Sequence, residues 1–405
     1  MKAVLLQFGV LLFSAALVAM LTRRLRMPYT VGLVLAGIGL TFLPFHVKLQ
    51  LSNELIYSVF LPPLVYEAAL YMRWPQFKRD LPVVGLLATL GLALAALVTA
   101  VGMHYAVGWP WVSAVVFGVL IAATDPVSVI ATFKEAGVHG RLRGLVEAES
   151  LLNDGTAAVA FTTALVLAGG AGLDAAQAAG TLMLSIGGGI ACGAAAGFAL
   201  TLLAGRTKDH LVEITFSTLT AYGSFLLAEH WHFSGVIAAL AAGLVTGNFR
   251  GLRGTSGGGH AAVRAFWEYA GFVINSFVFL LIGSREAELH FDGLWRPVAA
   301  AIVLVTLGRA VAIYPPCALF ARSRLRVEMN HQHVLFWGGL RGALALALAL
   351  ELPATLPLHR DIMTVSFAVV AFSIFAQGLT MTPLLRHLGQ IDGVRHRPSA
   401  AADDD

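Results

Sequence analysis

The chain consists of long apolar stretches separated by short polar loops. A bilayer core about 30 Å thick needs roughly 20 apolar residues in one helix, and thirteen stretches come near that length. We predict transmembrane helices, numbered spans 1 to 13, at about 3–22, 28–45, 52–71, 81–105, 110–133, 143–169, 176–204, 210–230, 233–248, 265–284, 295–320, 331–352 and 361–384. The pattern therefore predicts an all-α polytopic membrane protein.

The loops differ in charge from one side of the membrane to the other. Most of the 27 Lys and Arg residues lie in every second loop. The other loops and the N-terminus hold only Lys2, Lys48, Arg285, Arg296 and Arg360. Because cytoplasmic loops collect Lys and Arg, we expect the N-terminus outside and the C-terminus in the cytoplasm. Arg309 and Arg341 remain inside spans.

Composition excludes several classes of protein. Hydrophobic residues make up 58% of the 405 residues and charged residues only 12%, with a mean hydropathy of +0.77, whereas soluble proteins carry about 25% charged residues. The net charge of +4 comes from the loops, so we expect no nucleic-acid partner. Cys192 and Cys317 lie inside apolar spans and form neither a disulfide framework nor a zinc motif, and no cofactor is predicted. The first span lacks a small-residue cleavage motif and precedes Arg23 and Arg24, which predicts a retained span.

Thirteen spans can divide into six, one and six. Six-helix units on either side of a single linking helix enter the membrane from opposite sides, which makes an inverted repeat. Span 5 then corresponds to span 12, and both are interrupted, by Thr124-Asp125-Pro126 and by the Gly338/Gly339/Gly342 cluster. Interrupted helices at matching positions point to a binding site at the membrane midplane.

Span 6 carries polar groups at mid-depth, in the segment Glu149-Ser150-Leu151-Leu152-Asn153-Asp154. Ser150 and Asp154 are four residues apart and share a helix face. Their hard oxygens suit alkali cations, and burial disfavours the charged form of a carboxylic acid. Asp154 is therefore predicted to hold either a proton or a cation. A purely structural buried acid is the alternative.

The other charged residues in the spans have two interpretations each. Pro126 disfavours helical geometry at Asp125, which can balance a half-helix dipole or belong to an ion site. Glu67 can help to coordinate an ion or reach the interface as a solvated acid. Arg341 needs an anion, and Glu149 is the first choice with Asp125 second. Arg309 needs one too, with Glu268 as a candidate.

Five motifs in order resemble the NhaP/NHE-type sodium/proton exchangers, the cation:proton antiporter-1 family. They are Pro62-Pro63-Leu64-Val65-Tyr66-Glu67-Ala68, Thr124-Asp125-Pro126, Glu149-Ser150-Leu151-Leu152-Asn153-Asp154-Gly155, Phe266-Trp267-Glu268 and Gly339-Leu340-Arg341-Gly342-Ala343. The resemblance covers nearly the whole chain and implies an NhaA/NhaP-like fold in a homodimer, with interleaved core and dimerisation subdomains in residues 1–387. The chain departs from the animal exchangers in lacking their long regulatory tail, so we expect a bacterial inner membrane.

The resemblance also implies roles for individual residues. Asp154 would carry the Na⁺ or the proton, aided by Ser150, Glu67 and the backbone at Thr124. Asn153 and Asp125 would organise the site. Glu149 would pair with Arg341. An Asn-Asp pair in place of Asp-Asp goes with electroneutral exchange in this family.

Several functions remain open from the sequence. The first is electroneutral Na⁺ (Li⁺)/H⁺ exchange, and the second is K⁺/H⁺ exchange at the same site, because oxygen ligands alone do not select ion size. An intramembrane enzyme or a passive channel is the distant alternative, although no His-Glu-x-x-His or serine-nucleophile motif is present. Residues 388–405, which end in three aspartates, are expected to form a short disordered cytoplasmic tail.

Overall fold

The structure is a computed structural model that describes residues 2–25, 27–42, 54–169, 175–249, 257–287 and 293–391. Within these ranges all regular secondary structure is helical. The α-helices are α1 (Lys2–Leu25), α2 (Tyr29–Thr41), α3 (Leu61–Tyr71), α4 (Trp74–Leu86), α5 (Leu92–Gly102), α6 (Trp111–Leu120), α7 (Val127–Ala136), α8 (Arg141–Ala168), α9 (Ala175–Ala204), α10 (His210–His230), α11 (Gly235–Asn248), α12 (Gly257–Glu286), α13 (Trp295–Leu319), α14 (Met329–Trp337), α15 (Ala343–Leu350), α16 (His359–Phe372) and α17 (Gly378–His387). π-Helical segments lie at Leu55–Phe60, Leu87–Gly91, Met103–Val107 and Ser373–Gln377.

These helices assemble into the thirteen predicted spans in the predicted order. In the described part of the chain, eight continuous helices are long and apolar enough to cross a membrane. The other spans are shorter or broken: α2, the Leu55–Tyr71 helix, α11, and the two pairs α6 with α7 and α14 with α15. The broken pairs are spans 5 and 12, as Pro126 and the glycine cluster predict. The expected tail beyond residue 391 lies outside the described residues.

Span boundaries and π-helical segments differ from the prediction. Span 4 begins at Trp74 rather than near residue 81, because Pro75 suits a first helical turn and the polar turn after it lies at the end of the bundle. π-Helical segments occur inside spans 3, 4 and 13. Apolar periodicity does not reveal them, since a π-bulge reflects the packing around a helix and is frequent at functional sites.

Glycines on α9 allow it to pack closely against α11. A Cβ added to Gly189 would lie 2.6 Å from the Ser234 carbonyl oxygen, and one added to Gly197 would lie 2.9 Å from the Ala242 Cα. Gly193, between them, would collide with the Ala238 carbonyl. This small-residue ridge therefore brings two backbones of the same chain into contact.

The two interrupted spans cross where their helices are unwound. Residues 121–126 separate α6 from α7, and residues 338–342 separate α14 from α15. The backbone N–H of Asp125 donates a 2.7 Å hydrogen bond to the Leu340 carbonyl. Irregular backbone at membrane depth is tolerated where protein surrounds it or where it lines a cavity. The crossing therefore places polar backbone at the centre of the bundle.

Candidate ion-binding site

Asp154 lies on α8 beside the crossing and is only 7% exposed. Its Oδ1 atom is buried and accepts no hydrogen bond from the residues that the structure describes. An unsatisfied buried oxygen costs free energy, and such an atom in a native fold calls for an explanation such as an ion or a proton. Asp154 therefore has an oxygen that a bound cation or proton can satisfy.

A cavity of about 630 Å³ connects Asp154 to the surface. Its polar lining includes Glu67, Thr124, Asp125, Lys134 and Glu147. Lys134 is exposed at the end of α7, so the cavity runs from that end of the bundle to the buried carboxylate. The other charged residues of the lining are Arg23, Arg143 and Glu268.

Thr124 and Ser150 form a hydrogen-bonded pair beside Asp154. Their hydroxyl oxygens are 2.9 Å apart, and Ser150 Oγ lies 2.9 Å from the Thr124 carbonyl oxygen. Both side chains are buried. Thr124 lines the cavity, whereas Ser150 lies outside the lining and bonds to the unwound backbone at Thr124. The pair therefore fixes the first unwound segment to α8, one turn from Asp154.

Asp125 and Arg341 place opposite charges at helix ends around the crossing. The Asp125 carboxyl group packs against Gly342, the residue that precedes α15. The Arg341 guanidinium donates hydrogen bonds of 2.6 and 3.0 Å to the carbonyls of Ala122 and Ala123, which follow α6. A helix carries partial positive charge at its amino end and partial negative charge at its carboxyl end. Each side chain therefore stabilises a half-helix of the opposite span.

Glu149 forms its ion pair with Arg309. Arg309 Nη1 and Nη2 lie 2.7 and 2.9 Å from the two carboxylate oxygens of Glu149, and both side chains are buried. The predicted Glu149–Arg341 pair is therefore wrong, as is the suggested Arg309–Glu268 pair. The reason is position: the unwound chain turns Arg341 towards the end of α6, whereas Arg309 on α13 faces Glu149 on α8.

Arg309 also stabilises a helix end. It donates to the Leu335 carbonyl in the last turn of α14, through Nη2 at 2.9 Å and Nε at 3.3 Å. Arg309 thus does for α14 what Arg341 does for α6.

Asn153 belongs to this network. Its Nδ2 donates a 3.2 Å hydrogen bond to Glu149 Oε1. The neutral member of the Asn-Asp pair is thus attached to the buried Glu149–Arg309 pair, one residue from Asp154.

The comparisons with known proteins agree with this architecture. Residues 11–387 match the family model described as sodium/hydrogen exchanger, transmembrane. The chain belongs to this exchanger family. A Na⁺/H⁺ antiporter, ApNhaP, from Aphanothece halophytica is 39% identical over 90% of this chain and 70% of its own length. The Na⁺/H⁺ antiporter NhaH from Halobacillus aidingensis is 32% identical over 95% of this chain and 98% of its own length.

A solved structure shares the exchanger fold. The sodium proton antiporter MjNhaP1 from Methanocaldococcus jannaschii superposes with a TM-score of 0.76 at 20% identity, covering 97% of this chain and 99% of that one. The overlap supports the all-helical antiporter fold.

The exchanger fold brings most of the predicted site residues to one place. Asp154, Thr124, Asp125 and Glu67 line a single cavity, with Ser150 and Asn153 packed behind its wall. Glu67 is half-buried in the lining, and a Cβ on Gly271 of α12 would lie 3.3 Å from its carboxyl group.

Two buried polar residues near the crossing were missed by the sequence analysis. Ser373 and Gln377 lie in the π-helical segment of span 13 and are 1% and 6% exposed. Their spacing of four residues in an otherwise apolar span, on the face that meets span 12, is the signal that could have identified them.

Proposed function

We propose that the protein exchanges Na⁺ or Li⁺ for H⁺ across a membrane, through competition of the two ions for Asp154. The observation that carries the proposal is the unpartnered Asp154 oxygen on a cavity that opens to the surface. A carboxylate can neutralise one monovalent cation or one proton. Because Asn153 beside it carries no charge, one positive charge leaves for each that enters, and the exchange is electroneutral.

The cavity lining supports a ligand set for the cation. Thr124 lines the cavity next to Asp154, Ser150 bonds to Thr124, and Glu67 lies on the same cavity wall. All supply oxygen atoms, which hard cations prefer. In this proposal Asp154, Thr124 and Glu67 supply oxygens to the cation, Ser150 holds Thr124 in place, and no further cofactor takes part.

The direction in which the cavity opens supports an orientation of the protein in the membrane. Its mouth lies among Arg23, Lys134 and Arg143, on the side where cationic loops cluster. Since such loops stay in the cytoplasm, the proposal places the C-terminal end inside the cell and makes this state inward-facing, in the bacterial inner membrane. The proposed assembly is a homodimer in which a core that holds spans 5 and 12 moves against a scaffold.

Transport by purified protein in liposomes tests the exchange. A Na⁺ gradient imposed on wild-type proteoliposomes should move protons without any ionophore to dissipate voltage. Asp154→Asn should abolish this movement, whereas Glu54→Gln, which alters an exposed carboxylate at the opposite end of span 3, should preserve it. Full exchange in the Asp154→Asn protein would overturn the proposal.

The same liposomes distinguish the cations. Na⁺, Li⁺ and K⁺ are compared at equal concentration and pH. Proton movement driven by Na⁺ and Li⁺ and not by K⁺ supports the proposal, and movement driven by K⁺ alone makes the protein a K⁺/H⁺ exchanger. A proton flux that needs a voltage shunt would contradict electroneutral exchange.

A further inference from the structure

Span 13 supplies a buried polar contact to the crossing of the interrupted helices. Ser373 Oγ accepts a 2.8 Å hydrogen bond from the backbone N–H of Arg341. The Ser373 hydroxyl in turn donates to Gln377 Oε1, also at 2.8 Å. Ser373 has a single proton, so donation to Gln377 leaves its lone pairs oriented towards Arg341.

The Arg341 N–H belongs to a peptide that helical hydrogen bonding does not satisfy. Residues 339–342 lie in the unwound part of span 12. A buried backbone donor without a partner costs about 1–3 kcal/mol, and in the membrane interior no water replaces the missing acceptor. Ser373 therefore meets a requirement that the break in span 12 creates.

The same peptide unit also reaches the other interrupted span. Its carbonyl, that of Leu340, accepts the 2.7 Å hydrogen bond from the Asp125 N–H. A trans peptide is planar, so its C=O and N–H point in opposite directions and turn together. Fixing the N–H with Ser373 therefore fixes the direction in which the C=O receives Asp125.

Asp125 is joined directly to the candidate cation ligands. Thr124 precedes it, and the Thr124 carbonyl and hydroxyl both contact Ser150. A rotation of the Leu340–Arg341 peptide would thus displace Thr124 relative to Asp154.

We infer that Ser373 and Gln377 are positioning residues for cation binding, acting through the single peptide between Leu340 and Arg341. Neither residue lines the cavity, so neither touches the ion. The π-helical turn places the two side chains on the face that meets the break in span 12. The inference rests on the proposed exchange and extends the residues involved in it beyond the cavity lining.

The test compares matched serine variants in proteoliposomes. Ser373→Ala should raise the apparent KM for Na⁺ about tenfold, the effect expected from one misdirected buried hydrogen bond, and should change the ratio of the KM values for Na⁺ and Li⁺. Ser373→Thr keeps the hydroxyl and should return KM to within about threefold of wild type. Ser366→Ala is the control, because Ser366 is equally buried in span 13 but bonds to Ile362 of its own helix.

The outcomes separate this inference from the proposed function. If the wild-type protein shows no cation-coupled proton movement, the proposed function itself is wrong. Wild-type exchange with the same KM in Ser373→Ala as in Ser366→Ala overturns only the positioning role. If Ser373→Ala does not fold, Gln377→Met decides: a KM rise of about threefold with an altered Na⁺/Li⁺ ratio supports the role, and unchanged values overturn it.

Discussion

Glu149 and Arg309 form a two-point ion pair that joins α8 to α13, with nitrogen–oxygen distances of 2.7 and 2.9 Å. Arg309 also bonds to the Leu335 carbonyl at the end of α14. The pair therefore links the helix that carries Asp154 to one of the interrupted helices. Two-point arginine–carboxylate pairs fix geometry as well as supplying energy.

A double-mutant cycle measures this pair. Glu149→Gln should lower the free energy of unfolding by about 3–5 kcal/mol, because Arg309 is left buried without its counter-ion. The double variant with Arg309→Met should lose much less free energy of unfolding than the sum of the two single variants. The coupling energy should be at least about 1 kcal/mol. Thermal and denaturant unfolding in detergent measures all four proteins.

The same cycle with Arg341→Met is the matched control. The Arg341 guanidinium bonds to the carbonyls of Ala122 and Ala123 and not to Glu149, so its coupling to Glu149→Gln should be clearly smaller than that of Arg309→Met. Stronger coupling of Glu149 to Arg341 than to Arg309 would contradict the ion pair described above.

Competition at Asp154 predicts the pH dependence of transport. In the proposed mechanism a proton and a cation exclude each other there, so lowering the pH fills the site with protons and weakens apparent Na⁺ binding. On the acidic side the apparent KM for Na⁺ should rise about tenfold per pH unit, as mass action requires for single-site competition. Initial rates across a matrix of Na⁺ concentration and pH measure it. An apparent KM that stays constant as the pH falls would exclude competition at one site.

Gly342 predicts a steric test of the crossing. A Cβ at Gly342 would overlap the Asp125 carboxyl group, so Gly342→Ala must push Asp125 away from the amino end of α15. The transport rate should fall at least about tenfold, because displacing a positioned side chain at a functional site by about 1 Å lowers rates by this factor or more. Transport by the folded variant, verified by size-exclusion chromatography, measures the loss.

Gly144→Ala is the control for that substitution. Gly144 lies inside α8, and nothing stands within 4 Å of an added Cβ. Alanine there should preserve transport and stabilise the protein by about 0.4–1 kcal/mol, because it restricts the unfolded chain. Equal transport by the two alanine variants would show that Asp125 does not need its position against Gly342.

Arg141 ties three elements together at the end of the bundle near the cavity mouth. It donates to Asp80 Oδ1 at 3.0 Å, to the Arg326 carbonyl at 2.7 Å and to the Leu325 carbonyl at 3.0 Å. Arg141→Ala should therefore lower the free energy of unfolding by about 1.5–3 kcal/mol. Arg143→Ala, which removes a partly exposed pair with Glu147 on the same helix, should cost about 0.5 kcal/mol. Thermal unfolding compares them, and similar losses would argue against a role for Arg141 in joining these elements.

The sequence alone determined the features that arise from local chemistry. Apolar length determined the thirteen spans, since a helix must match the bilayer thickness. Pro126 and the glycines at 338, 339 and 342 determined where spans 5 and 12 unwind, because proline and glycine act on the backbone beside them. The acid at Asp154 stood out because a charge inside the membrane is costly and is therefore rare outside paired or functional positions.

The tertiary structure alone decided which groups meet. Arg309 and Arg341 both needed an anion or free carbonyls, and only the tertiary arrangement of α13 and α8 placed Glu149 beside Arg309. The cavity to Asp154 and the contact between Ser373 and the Arg341 N–H likewise depend on the crossing angle of separate helices. Local sequence controls backbone conformation over a few residues, whereas these contacts join positions far apart in the chain whose approach is set by the packing of the whole bundle.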